Sequence, residues 1–164
     1  MPPGRVYAPE HAHSSVEKCV LELGLGQAGY RTIETDDAFA IDPKALYAAI
    51  REDLAARIVP CAIVATLGTT STASPDPIAD ITDIAQRHGV WLHVDAAYGG
   101  PVAMVPEAAP WFDGWERADS IVVHPHKRLF TPIDCSVWRW SYFGGPAATH
   151  RSTRIGSTTR FWMR

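Results

Sequence analysis

Two Asp-Pro pairs, Asp42-Pro43 and Asp76-Pro77, each head a stretch of helical periodicity, and each such stretch leads into an apolar run. Aspartate is a capping residue, and proline suits the first helical turn, where its missing N–H would have had no partner anyway. The first pair opens ALYAAIREDLAAR, followed by the apolar run Ile58–Leu67, in which Pro60 restricts where pairing begins. The second opens IADITDIAQRH, stopped by Gly89 and followed by a strand over Val90–Val94 that ends at Asp95. Ser15–Leu23 has helical spacing between a capping Ser14 and a terminating Gly24, and Tyr30–Thr35 alternates like a short strand. Ser120–Val123 and Ser136–Trp140 read as two further strands. Alternation of this kind admits few architectures. The predicted class is α/β, a mainly parallel sheet flanked by helices.

Composition narrows the function classes. The chain has 164 residues and a formal net charge of −3, which gives no basic stripe for a nucleic-acid partner. Cys19, Cys61 and Cys135 are odd in number and far apart, so they suggest neither a disulfide framework nor a zinc knuckle. No long apolar run and no signal-peptide pattern is present, so no membrane partner is expected and the expected location is the cytoplasm. Acids stop at Asp134, whereas Arg151, Arg154, Arg160 and Arg164 follow. The expected organisation is one domain over residues 1–143 and a basic, poorly ordered tail over 144–164.

Chemistry concentrates at one acid and one lysine. Of the three lysines, Lys18 and Lys44 fall on helices rich in exposed-type residues, whereas Lys127 follows a strand and a proline, among His124, His126 and Arg128. Positive neighbours and desolvation lower a lysine's pKa and make it a nucleophile toward an aldehyde. In a parallel sheet the carboxyl ends of the strands border the ligand crevice, which places Asp95 at a site, with the small Ala96 and Ala97 leaving room for a flat molecule. Pyridoxal phosphate needs this pair: a lysine for its aldehyde and an acid for its pyridine nitrogen. The bland alternatives are a lysine paired to a carboxylate and an acid that caps a turn or closes a salt bridge.

The segments EHAHSSVEKC, ATLGTTSTASPDPI, WLHVDAAYGG and ADSIVVHPHKRLFTPIDCS, in that order over about Tyr7 to Trp138, resemble the group II pyridoxal-dependent decarboxylases of the aromatic-L-amino-acid decarboxylase type. That resemblance implies a partial fold-type I large domain and the loss of carbon dioxide from an amino acid, with pyridoxal 5'-phosphate as cofactor. It implies that Lys127 carries the cofactor, that Asp95 partners the pyridine nitrogen, and that His13 and Ala97 cover the two ring faces. Thr70 would lie near cofactor and substrate, and His126, with His124, near the phosphate. The chain departs from the pattern at His124, where Asn or Asp is common, and at Arg128, where Trp is common. Family members are longer, with a preceding phosphate loop, a later mobile loop and a small C-terminal domain. Relatives of full length are expected to be homodimers.

Three other readings stay open on the residues. One is another fold-type I enzyme, a cysteine desulfurase or aminotransferase, against which the DAAYGG and LFTPIDCS segments weigh. A second is a metal hydrolase using His93, Asp95, His124 and His126, which leaves Lys127 without a task; no metal is expected. The third is a non-catalytic remnant, with an apolar face left bare.

Overall fold

The computed structural model describes residues 2–141 and 151–156. Its strands are β1 (Gly4–Pro9), β2 (Tyr30–Ile33), β3 (Val59–Thr66), β4 (Trp91–Asp95), β5 (Ser120–Val123), β6 (Ser136–Ser141) and β7 (Arg151–Gly156). They form one sheet in the order β2-β1-β3-β4-β5-β6-β7. The pairings from β2 through β5 are parallel, and β6 and β7 add antiparallel at one edge. The helices are α1 (Ser15–Glu22), α2 (Pro43–Ala55), α3 (Ile78–His88) and the single turn α4 (Pro125–Arg128), with 3-10 turns between β4 and β5. The expected α/β architecture is present. The expectation for residues 144–164 falls mostly outside the described residues; within that stretch, Arg151–Gly156 pairs with β6.

Side-chain alternation divides the sheet into two unlike faces. On one, Ile63 and Ala65 of β3, Leu92 and Val94 of β4 and Ile121 of β5 pack under Leu46 and Ile50 of α2 and Ile81 of α3. Leu46, Ile50, Ile63 and Ile81 are wholly buried, and each such side chain contributes about 1.5–3 kcal/mol. On the other face, Val6, Ala8 and Val64 meet Val20 of α1 in a smaller cluster. Beyond α1, among the described residues, no helix covers Trp91, His93 and Ser120. That bare stretch forms the floor of the site.

The two Asp-Pro pairs diverge. Asp42 caps α2, its carboxylate accepting from Lys44 N at 2.8 Å. Asp76 does not cap α3. It is buried, and its two oxygens accept from Ile41 N at 2.8 Å and Thr66 N at 2.6 Å, tying the segment before α2 to the end of β3. Ser14 occupies the cap position of α1 without a side-chain bond; the neighbouring His13 Nδ1 accepts from Ser15 N at 3.3 Å instead. Gly89 ends α3 in the left-handed region, as its sequence position suggests.

Candidate active site

The carboxyl ends of β3, β4 and β5 supply the site. Asp95 closes β4, and its Oδ1 accepts from Ala97 N at 3.0 Å, which bends the chain away from the sheet. Ala96 is wholly buried in the core, so only Ala97 of the two alanines faces the site. The loops after β3 and β4 then touch backbone to backbone: Leu67 N donates to Asp95 O at 2.9 Å and Gly99 N to Leu67 O at 3.0 Å. A Cβ on Gly99 would lie 2.2 Å from Leu67 O, so the close approach requires glycine there. This contact carries Thr69 and Thr70 to the side of Asp95, where the Thr69 and Thr72 hydroxyls share a hydrogen bond of 2.5 Å.

After β5 the chain bonds back through His124 N to Ala97 O at 3.3 Å and turns into α4. The fixed φ of Pro125 suits the first position of that turn, and Lys127 N closes it on His124 O at 3.0 Å. On the opposite wall, His13 is steered by Ser15, whose hydroxyl is 2.8 Å from Nδ1.

His13, Thr70, Asp95, Ala97, His124 and Lys127 all line one cavity of about 630 Å³. His126 does not line it. Its Nδ1 lies 2.7 Å from Cys135 O, and its ring stacks on His124 with centroids 5.0 Å apart. Burial, then the charges of Lys127 and His126, push the His124 imidazolium pKa down, against the opposing pull of Asp95 and Asp134. Arg128 turns outward from Lys127 and lies over the Tyr98 ring, 4.0 Å from its centroid, a cation–π contact.

Sequence reasoning missed most of the floor. Thr66, Trp91, Ser120 and Trp138 line the cavity, and His93, weighed only as a metal ligand, belongs to the same surface. Period-two alternation back from Asp95 gives Trp91 and His93, but no pattern in the sequence says which sheet face stays uncovered. Among the described residues, no group of three or more His, Cys, Asp or Glu is arranged to hold a metal ion.

The residues fit pyridoxal phosphate on three observations. Lys127 makes no ion pair among the described residues, and the one hydrogen bond to the Asp95 side chain comes from Ala97 N. Thr66 Oγ1 and His124 Nδ1 are buried without partners, and both residues line the cavity. Ala97 presents a small flat wall.

The model of the family described as "Pyridoxal-dependent decarboxylase conserved domain" matches residues 4–142. The chain belongs to this family. It is 43% identical over 132 residues to a tryptophan decarboxylase of Camptotheca acuminata, covering 79% of this chain and 26% of that one. Among solved structures, Oryza sativa TDC with PLP matches at a TM-score of 0.79 and 39% identity, covering 82% of this chain and 29% of the other. Catharanthus roseus tryptophan decarboxylase in complex with L-tryptophan matches at a TM-score of 0.80 and 37% identity, over 84% and 29% respectively. The chain therefore spans about a quarter of the length of the curated relatives it matches. The matched residues include β1 to β6 up to Ser141 and the residues that line the cavity, Asp95 and Lys127 among them.

Proposed function

We propose that the chain is a cofactor-binding portion of a pyridoxal-phosphate-dependent amino-acid decarboxylase. The observation that carries this reading is the convergence of Lys127, Asp95, His13 and Ala97 on one cavity at the carboxyl end of the sheet. In this reading Lys127 would hold the cofactor at its aldehyde end through Nζ, and Asp95 would partner its pyridine nitrogen. His13 and Ala97 confine the ring from its two faces. Thr70 and His124 border the rest of the cofactor and the incoming amino acid; His126 supports His124 by stacking rather than from the cavity wall. Bound there, the cofactor supplies an electron sink for the pair left when a carboxylate departs as carbon dioxide. The protein orients the departing carboxylate, excludes water along the apolar wall of Val6, Val64 and Val122, and presents Asp95 at the end of β4.

We infer a homodimer and a cytoplasmic location as well. Phe130 is fully exposed and Ile133 is 85% exposed, three and six residues after Lys127, so a partner copy would cover apolar surface close to Lys127 in the chain. The three cysteines are free thiols, which suits a reducing compartment.

Borohydride trapping tests the assignment. Incubation with pyridoxal phosphate, reduction and peptide mass spectrometry should place the label on Lys127. Lys127→Ala should remove it, and Lys18→Ala and Lys44→Ala should not. Label on Lys18 or Lys44 would sink the assignment, and no label at all would favour a non-catalytic remnant.

A further inference from the structure

Asp95 lines a cavity whose walls are largely apolar; its Oδ1 is engaged by Ala97 N, which leaves Oδ2 for other donors. An acid beside such walls stays charged only where donors reach its oxygens. Two donors flank it on the same sheet face. Thr66 is its registered neighbour on β3; the residue is 5% exposed, and its buried hydroxyl has no partner among the described residues. His93 precedes it by two residues on β4 and therefore shares its face.

The state of the His93 ring follows from its neighbours. Trp91 Nε1 donates to Ser120 Oγ at 2.9 Å, and His93 Nδ1 lies 2.8 Å from the same oxygen. Ser120 is opposite His93 in the β4–β5 register, so the two strands fix this triad. Ser120 Oγ can accept from the indole and donate its own proton to Nδ1, the arrangement assigned to the triad. A neutral ring whose Nδ1 accepts carries its proton on Nε2. Burial keeps the ring neutral, pushing its pKa down against the weaker pull of Asp95.

We propose that Thr66 and His93 are positioning residues for Asp95, which hydrogen-bond its outer oxygen through one ordered water and so hold it ionised and aimed into the cavity. Trp91 and Ser120 lock the His93 tautomer from behind. The assignment rests on Asp95 being the pyridine partner for its purpose, but not for its test, which uses the cofactor-free chain.

The titration of Asp95 is followed by carboxyl-carbon NMR in the full chain without cofactor. The charged or titratable groups that line the cavity with Asp95 are His93 on β4, Tyr98 after it, His124 and Lys127 beyond β5, His11 and His13 ahead of α1, and Cys19 on α1. Thr66→Val leaves all of them in place and removes only a hydroxyl. It should raise the Asp95 pKa by about one unit, and His93→Phe should do the same. His93→Gln, which restores an N–H donor, should bring the value back toward that of the unmodified chain. The ring-nitrogen shifts of His93 should report a neutral Nε2–H form at pH 7. An Asp95 titration unmoved by Thr66→Val overturns the proposal, as does a charged His93 or an Nδ1–H tautomer. Should His93→Phe fail to fold, Thr66→Val decides alone, since valine matches threonine in shape. Lys127 trapping is read separately, so an absent cofactor and an idle Thr66–His93 pair give different results.

Discussion

At the scale of single residues, the site depends on smallness as much as on charge. Ala97 is 7% exposed and faces the cavity between Asp95 and the loop that carries Gly99, whose own lack of a side chain permits the loop contact. Branching the alanine fills space that a planar ring needs, without touching the core that Ala96 occupies. Ala97→Leu is therefore expected to weaken pyridoxal-phosphate uptake by at least about tenfold, a loss on the scale of an overpacked contact. Thermal unfolding of the cofactor-free chain should move little. Equal uptake by fluorescence titration would show that the ring does not lie against Ala97. Lys127 and Asp95 were legible because each combines an unusual residue type with a strand end. Thr66 and Trp138 were not, since a threonine and a tryptophan in strands are ordinary core material until the uncovered face is known.

Among the elements, α2, α3 and strands β3 to β5 were readable from periodicity and caps, whereas β1 and α4 were not. β1 is six residues with Gly4 at one end and Pro9 at the other, and its four buried positions in succession show no alternation. α4 is one turn, too short for any period. Asp76 misled in a different way, because tertiary structure claimed its carboxylate for Ile41 and Thr66 before α3 could use it as a cap. Its burial raises its pKa from 3.8 to about 6, although the two N–H donors pull the other way. The folded chain then holds this proton more tightly than the unfolded chain. The stability linked to it is complete below the unfolded value and is lost as pH rises through about 6. Against Asp76→Asn, which cannot titrate, the unmodified chain should gain about 1 kcal/mol on going from pH 7 to pH 5. Urea unfolding at the two pH values measures this difference, and a constant gap would place the folded pKa at its ordinary value. Because Asp76 also anchors the end of β3, its variant should loosen the Thr69–Thr70 loop beside Asp95.

For the whole molecule, the two faces of the sheet make opposite statements. One is sealed by α2 and α3 over a continuous core, and the other is covered, among the described residues, only over β1 and β3. The open portion holds Trp138, 52% exposed, and Phe130 and Ile133, in the segment between α4 and β6, are exposed as well. Large exposed apolar side chains drive association, and Phe130 follows Lys127 closely in the chain. The chain is expected to self-associate by sedimentation at micromolar concentration. Phe130→Ser with Ile133→Ser should shift it toward monomer, because the pair removes exposed apolar area outside the strands. If the two copies only cover each other there, Lys127 should still take the borohydride label in the double variant. If the label falls with the dimer, the partner copy completes the site, and Lys127 is shielded from water only when two chains meet. A monomer in the unmodified chain at high concentration would instead separate the bare face from assembly altogether.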